Sequence, residues 1–144
     1  MAKFSEQAIQ VAFFAWVKSE LQKCSTESNE LRMIMATPNQ GDKGMGAWGY
    51  QRKYEGASPG FPDISVLVPS AGFHGLFIEL KTSSGKLSNE QIAWLRRLDG
   101  QGYLALAIFT DKPSELIHLV CSYIRSRFPE NIFEAIAGLN YRRA

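Results

Sequence analysis

The sequence predicts a single α/β domain, in which a mixed sheet of about four strands is flanked by helices in the order α-β-β-β-α-β-α. Two β-rich runs, Ile64–Val68 and Gly75–Lys81, are separated by a segment rich in turn formers, which predicts a hairpin. A later apolar run, Tyr103–Phe109, has the composition of a strand buried on both faces. A helical pattern lies between the hairpin and this strand, so the connection predicts one right-handed parallel crossover.

Composition supports a globular domain and restricts the function classes. The chain has 144 residues, of which 45% are hydrophobic and 21% are charged, so it is large enough for its own core. A net charge of +2 gives no strong overall field, and a basic surface for nucleic acid would have to come from local clustering. Cys24 and Cys121 lack metal-ligand spacing, and no secretory signal or membrane span is evident. We therefore expect a reduced, cytoplasmic protein without a membrane partner.

The first helix is predicted to begin after Ser5 as its cap and to run to about Lys23. Its apolar stripe consists of Ile9, Phe13, Trp16, Val17 and Leu21. Glu6 lies at the amino-terminal end of this inward-facing stripe. An acid in a first helical turn is favoured by the helix dipole, so Glu6 is either a dipole-stabilised residue or part of a site at the sheet.

A strand is predicted over Leu31–Ala36, after a polar, turn-like segment at Cys24–Glu30. The glycine-rich stretch Thr37–Gly60 follows, and a short helix is expected within it over Trp48–Tyr54. Loops longer than ~15 residues are usually functional or disordered. Glycine amides with interspersed basic and aromatic groups suit contact with a phosphate backbone, although a mobile solvated loop would have the same composition. The basic residues predicted to contact phosphates here are Lys43, Arg52 and Lys53.

The helix after the hairpin is predicted from a capping-box pattern formed by Ser88 and Gln91. It should run to about Asp99, with Gly100 as its stop. Its buried stripe comprises Ile92, Leu95 and Leu98, with Trp94 beside it. Gln91 shares a helical face with part of that stripe and can point at the sheet, although the capping box alone accounts for it.

The carboxyl-terminal part of the chain is predicted to hold one long helix and a short one. Asp111 or Ser114 caps the long helix, which runs to about Arg127 and ends before Pro129. A short helix and a basic tail, Tyr141–Arg143, are expected to complete the domain.

Three ionisable side chains of the hairpin are predicted to converge on one face of the sheet. A turn centred near Ala71 pairs residues that lie equally far from it, so Asp63 and Glu79 should face each other across the ladder. Side chains alternate between the two faces, which adds Lys81 to the same face. Like charges directly opposite destabilise a sheet, so a bound cation is indicated. For each acid taken alone, a solvated charge at a strand end is the alternative.

The expected cation is Mg²⁺ or Mn²⁺, because these ions prefer carboxylate, phosphate and water oxygens. Asp63 and Glu79 would supply the carboxylates, and the backbone carbonyl of Leu80 would add a third oxygen. Such a metal acidifies a bound water and stabilises charge on a phosphoryl oxygen. Lys81 beside it would orient or deprotonate the attacking water, or stabilise the pentacovalent transition state.

These motifs resemble the VRR-NUC domain, the virus-type replication and repair nuclease branch of the PD-(D/E)XK superfamily. The resemblance lies in Gly60-Phe61-Pro62-Asp63-Ile64, Ile78-Glu79-Leu80-Lys81, Gly85-Lys86-Leu87-Ser88 and Gln91, and Glu6-Gln7-Ala8-Ile9-Gln10 is similar to the family's amino-terminal helix motif. The resemblance implies a restriction-endonuclease-like core and metal-dependent hydrolysis of phosphodiester bonds in DNA.

The resemblance also implies roles for individual residues. Asp63 and Glu79 would bind metal, and Lys81 would be catalytic. Glu6 would complete the acidic cluster through a water or a second ion, and Gln91 would support the site. Lys86, in the loop before the capped helix, is a further candidate for contact with DNA, together with the basic residues of the glycine-rich stretch.

Short stand-alone members of the family are similar to junction resolvases, which act as homodimers on branched DNA. The resemblance therefore implies a homodimer that cleaves branched DNA, such as four-way (Holliday) junctions, in DNA repair. It also implies the cytoplasm of a bacterial or phage-infected host cell.

Two other functions are alternatives to a nuclease. The first is a non-catalytic DNA-binding or assembly module on the same fold, although an inactive copy would have little need for both acids and the lysine. The second is a small-molecule hydrolase, for which no Ser-His-Asp set, P-loop or dinucleotide fingerprint is present in the sequence. His74 and His118 have no partners that indicate a zinc or HNH-type site, and ordinary packing or surface roles are expected for them.

Overall fold

The computed structural model describes residues 4–23, 29–38, 56 and 58–143. Within these residues the chain forms five helices and five strands. The helices are α1 (Glu6–Lys23), α2 (Asn29–Arg32), α3 (Asn89–Gly100), α4 (Pro113–Arg125) and α5 (Pro129–Ala135). The strands are β1 (Ile34–Ala36), β2 (Ile64–Val66), β3 (Leu76–Lys81), β4 (Leu104–Phe109) and β5 (Tyr141–Arg143).

The strands form one mixed sheet, in the order β1-β2-β3-β4-β5. Strands β3 and β4 are parallel, and the other neighbouring pairs are antiparallel. The α/β class and the crossover through α3 are therefore confirmed. The sheet has five strands where about four were expected. The extra strand is the predicted basic tail, which pairs Tyr141 with Ile108 and Arg143 with Leu106.

The hairpin has the register that the sequence predicts. Ile64 pairs with Ile78 and Val66 with Leu76, so paired residues lie equally far from Ala71. Ala71 and Gly72 both have positive φ, of 52° and 80°, which is the backbone conformation of a tight hairpin turn.

The turn is also fixed from outside the hairpin by the end of α4. The hydroxyl of Ser70 lies 2.7 Å from the carbonyl oxygen of Tyr123 and 2.9 Å from that of Ser126. The Tyr123 hydroxyl donates in return to the carbonyl of Val68, at 2.7 Å. These bonds satisfy carbonyl groups at a helix end and join the turn to the core.

Helices cover both faces of the sheet, as expected. One face carries the larger core cluster, in which α1 contributes Ile9 and Phe13 and α4 contributes Leu116 and Tyr123. The other face packs on α3, and its buried residues are Phe77, Leu95, Leu98, Ala105 and Ala107. Among the described helices, none combines the length and the hydrophobicity that crossing a membrane requires.

The two helices that flank the predicted site begin as predicted. The hydroxyl of Ser5 accepts a hydrogen bond from the Ala8 amide at 3.1 Å, and α1 runs to Lys23. At the start of α3, Ser88 accepts from the Gln91 amide at 3.2 Å, and the Gln91 side chain accepts from the Ser88 amide at 2.8 Å. Both arms of the capping box are therefore present.

Several predicted boundaries are wrong. Gly100 belongs to α3, and the positive φ of 86° lies at Gly102. The cap position of α4 is Lys112, without a side-chain cap, because Pro113 already occupies the first turn and the Lys112 amide donates to Thr110 instead. Pro129 starts α5, since α4 has already ended at Arg125.

The amino-terminal half also differs in detail from the prediction. Leu31 and Arg32 belong to the short helix α2, so β1 is shorter than the predicted strand. The expected helix at Trp48–Tyr54 and most of the glycine-rich stretch lie outside the described residues.

Candidate active site

Asp63 lies immediately before β2, and the hairpin register places it opposite Glu79. Its backbone is held by the residue that follows β1, because the Thr37 amide donates to the Asp63 carbonyl at 2.8 Å. The Thr37 hydroxyl donates to the carbonyl of Pro62 at 2.6 Å. One carboxylate oxygen of Asp63 accepts from the amide of Leu80 at 2.8 Å, so the side chain reaches across to β3.

Glu79 is the most enclosed acid of the site. Its side chain is only 3% exposed, beneath the first turn of α3. Its Oε1 accepts a hydrogen bond from Gln91 Nε2 at 2.5 Å and lies 3.2 Å from Lys81 Nζ. A buried carboxylate needs such partners, because leaving water without them costs several kcal/mol.

The two acids strongly affect each other's protonation. Burial raises the pKa of Glu79 to about 8, the charge of Asp63 adds to this increase, and the Lys81 ammonium opposes it. Burial also raises the pKa of Asp63, although the Leu80 amide and Lys81 oppose that increase. The two carboxyl groups are within side-chain hydrogen-bonding reach of each other, so the metal-free pair retains a proton near neutral pH.

Glu6 reaches this cluster from the start of α1. Its Oε1 accepts from the Thr82 amide at 3.3 Å, and its Oε2 lies 3.9 Å from Lys81 Nζ. Its side chain is 43% exposed, in contrast to the 13% exposure of Lys81. Glu6 therefore does more than occupy a first helical turn, because it contacts the end of β3 and the lysine that follows the second acid.

Lys81 lies between the two glutamates at the end of β3. Its stem packs against Gly85, where an added Cβ would lie 3.1 Å from Lys81 Cβ. The ammonium group is thus held by Glu79 on one side and Glu6 on the other.

The Leu80 carbonyl is oriented towards β2. Carbonyl groups of Gly75 and Lys81 accept from the β4 side, and alternation along the strand turns that of Leu80 the opposite way. The hairpin register continues to Pro62 opposite Leu80, and proline has no N–H to donate. Among the described backbone bonds outside regular elements, none donates to this carbonyl.

The donor set fits a hard divalent cation. Asp63 and Glu79 bring two carboxylates together, and the Leu80 carbonyl adds a neutral oxygen beside them, which is the chemistry that Mg²⁺ and Mn²⁺ prefer. Within the part of the chain that is described, no three His, Cys, Asp or Glu side chains form a metal-binding group. A metal here would therefore complete its coordination with backbone, water and substrate oxygens.

Of the four residues predicted to contact DNA, one lies among the described residues. Lys86 is exposed in the loop between β3 and α3. Lys43, Arg52 and Lys53 lie outside the described residues.

Two residues support the site through contacts that the sequence does not predict. Asp111, predicted as a helix cap, instead accepts from the Ser83 amide at 3.0 Å and from the Ser83 hydroxyl. It fixes the loop that follows Lys81. Thr37 holds the segment that carries Asp63. Both contacts join residues that are distant in sequence, and no local pattern signals them.

Comparison with known proteins identifies the family of the chain and supports its fold. A model of the VRR-NUC domain matches residues 5–108 and ends within β4. The matched range includes the five candidate site residues Glu6, Asp63, Glu79, Lys81 and Gln91. A solved structure described as a VRR_NUC domain protein has a TM-score of 0.69 and 20% identity, covering 89% of this chain and 95% of that one. That likeness shows the fold. No curated protein matches the chain. The chain therefore belongs to the VRR-NUC domain family, a family of nuclease domains.

Proposed function

We propose that the protein is a Mg²⁺- or Mn²⁺-dependent endonuclease that hydrolyses phosphodiester bonds in branched DNA, such as four-way junctions. The observation that carries this proposal is the pairing of half-buried Asp63 with buried Glu79, with Lys81 Nζ 3.2 Å from Glu79. Family membership supports nuclease chemistry. The experiments below test the metal dependence, the branched substrate and the homodimer.

Asp63 and Glu79 would hold the metal with the Leu80 carbonyl, and Glu6 would act through a water or a second ion. When bound, the metal lowers the pKa of a coordinated water and stabilises negative charge on the phosphoryl oxygen. The acids must lose their shared proton to bind it, so metal binding should release protons near neutral pH. The raised pKa of Glu79 makes this release measurable.

Lys81 is placed to act on the attacking water or on the transition state. Its ammonium lies between Glu79 and Glu6 with its side chain 13% exposed, so it has little freedom to move away. Orientation or deprotonation of water and stabilisation of the pentacovalent phosphorus are both compatible with this position. Lys81→Arg keeps the charge but cannot serve as a base, so its activity relative to Lys81→Met separates the two roles.

Gln91 holds the second metal-binding acid in place. Its Oε1 completes the capping box, which leaves Nε2 directed at Glu79. One side-chain amide thus links the helix start to the acid.

A cleavage panel tests the proposed function. Linear, flap, fork and four-way DNA are incubated with the protein in Mg²⁺, Mn²⁺ or EDTA. The expected result is metal-dependent cutting of branched DNA that falls roughly 100-fold or more in Asp63→Asn and in Lys81→Met. Glu134→Gln, an exposed acid in α5, is the matched control and should retain activity.

Two outcomes would change the proposal. DNA binding without cleavage, across all metals and substrates, would favour a non-catalytic DNA-binding or assembly module. A homodimer with two-fold symmetry would present its two sites to opposite strands of a symmetric junction. A protein that stays monomeric at working concentration would leave flap or nick cleavage as the activity, and sedimentation measures this directly.

A further inference from the structure

Gly60 passes closer to the start of α3 than a residue with a side chain could. A Cβ added to it would lie 2.7 Å from both the carbonyl carbon and the Cβ of Glu90, and 2.8 Å from the backbone nitrogen of Gln91. Two of these atoms belong to the helix backbone, which cannot rotate aside. Its φ of 81° is also one that L side chains rarely adopt. The position therefore requires glycine for both space and conformation.

The close approach of Gly60 involves Gln91, whose side chain holds Glu79. The Gln91 nitrogen touches the Gly60 segment, and Gln91 Nε2 donates to Glu79 Oε1 at 2.5 Å. The capping box fixes the rest of the Gln91 side chain against Ser88. The distance from Gln91 Nε2 to Glu79 therefore depends on where the first turn of α3 lies.

The next residue joins α3 to the strand that carries Glu79. The Phe61 ring lies edge-on to Phe77, with the ring centroids 5.7 Å apart, and edge-on to Trp94, with the centroids 5.0 Å apart. Phe77 precedes Glu79 on β3, and Trp94 lies one turn beyond Gln91 on α3. The Trp94 indole also donates to Ser58 at 3.1 Å. Residues 58–61, which lie just before Asp63 in the sequence, thus contact both α3 and β3.

We propose that Gly60, together with Phe61, is a positioning element of the active site. Its close passage sets the separation between the first turn of α3 and the Asp63–Glu79 pair, so that Gln91 holds the Glu79 carboxylate in its metal-binding orientation. Gly60 acts through Gln91 and touches neither substrate nor metal. This inference rests on the proposed function only where activity and metal affinity are measured.

Gly60→Ala is the central variant, and Gly56→Ala is its matched control. Gly56 has a similar φ of 88°, but among the described residues a Cβ added there would meet nothing within 4 Å. Both variants strain the backbone alike, so a difference between them reports the contact with α3. Gly60→Ala is expected to weaken Mn²⁺ binding by roughly tenfold, because small misplacements at a site are costly. Gly56→Ala should bind Mn²⁺ like the wild type.

A double-mutant cycle with Gln91→Ala tests the route of the effect. If Gly60 acts through Gln91, the Gly60→Ala penalty on Mn²⁺ affinity should shrink to within about twofold in the Gln91→Ala background. A full penalty in that background would overturn the proposal.

An NMR measurement makes the outcome independent of nuclease activity. The side-chain amide resonances of Gln91, identified by their loss in Gln91→Ala, should shift towards free-amide values in Gly60→Ala and stay in place in Gly56→Ala. Unchanged Gln91 resonances in Gly60→Ala would overturn the proposal, even for an active enzyme. A wild-type protein that cleaves no DNA, together with shifted Gln91 resonances in Gly60→Ala, would refute the proposed function alone.

If Gly60→Ala does not fold, Phe61→Leu provides the same test without added bulk. It removes both ring contacts, so the Gln91 resonances should shift in the same direction by a smaller amount. No shift in a folded Phe61→Leu protein would count against the proposal.

Discussion

The two ends of the β2–β3 hairpin satisfy their polar groups in opposite ways. At the turn end, Ser70 and Tyr123 are neutral donors, each paired with backbone carbonyls. Burial raises the pKa of Tyr123 to about 12, so it stays neutral in all ordinary conditions. At the open end, Asp63 and Glu79 are ionisable and mutually repulsive, and Glu79 is buried beside the half-buried Asp63.

This difference indicates that the turn end of the hairpin stabilises the fold and that the open end does not. Neutral hydrogen bonds at the turn stabilise the fold at any pH, whereas packed carboxyl groups at the open end destabilise it as they ionise. Perturbed acids of this kind cluster at functional sites. Substitutions at the turn should therefore reduce stability, and substitutions at the open end should reduce activity.

The largest effect is expected from Glu79→Gln. It removes a proposed metal-binding carboxylate, so cleavage should fall about 1,000-fold while the fold is retained. The same variant should raise the free energy of unfolding of the metal-free protein at pH 8.5 by about 1–3 kcal/mol, because the raised pKa of Glu79 shows that its ionised form is unfavourable in the folded state. Single-turnover cleavage and urea unfolding in EDTA measure the two effects. A Glu79→Gln protein that is less stable than the wild type would contradict the inference that ionised carboxyl groups at the open end destabilise the fold.

The next effect is a pH dependence of stability. The Glu79 carboxyl holds its proton up to about pH 8 in the folded state and loses it near 4.5 when unfolded. Between these values the folded state binds more protons, so the free energy of unfolding should fall as pH rises, by at most about 1.4 kcal/mol per pH unit from this group.

Urea unfolding in EDTA, from pH 5 to pH 8, measures this slope. Glu79→Gln should reduce it, and Mg²⁺ should offset it in the wild type by replacing the proton. Identical slopes in the two proteins would mean that Glu79 titrates normally.

At the turn end, Tyr123→Phe should destabilise the protein by about 1–2 kcal/mol, because it leaves the part-buried Val68 carbonyl without its donor. Cleavage per folded molecule should be unchanged. Thermal unfolding and the specific activity of the folded fraction are the measurements. Loss of activity without loss of stability would show that the two ends are coupled.

The smallest effect is expected from Lys86→Ala in the loop after β3. Removing one exposed charge that is proposed to contact phosphate should weaken DNA binding about two- to fivefold and lower the salt-dependence slope by about 1. Lys23→Ala, which removes a lysine paired with Glu20 at the end of α1, is the control. Equal effects of both variants would indicate nonspecific attraction only.

The hairpin and its acids were predictable from sequence because register follows from turn position and alternation. The turn centred on Ala71 was enough to place Asp63 opposite Glu79. Helical spacing likewise placed Glu6 on the inward face, although its contact with Thr82 depends on how α1 docks.

The missed features have different physical causes. Strand β5 has only three residues and exists through its pairing with β4, which no local pattern reveals. Gly100 and Gly102 are both plausible helix stops, and only the docked chain decides which has positive φ. The α4 start depends on Thr110 and Pro113, so the nearby Asp111 became available to hold Ser83.

The site joins parts of the chain that are far apart in sequence. The contact between Glu6 and Thr82 spans 76 positions, and Gln91 reaches Glu79 only after α3 has docked. Such long-range contacts form slowly, because loop closure must precede them. A nascent or partly folded chain therefore carries the acids without their native arrangement. The cluster should therefore assemble only when folding is complete, so any metal binding that it supports would report the fully folded state.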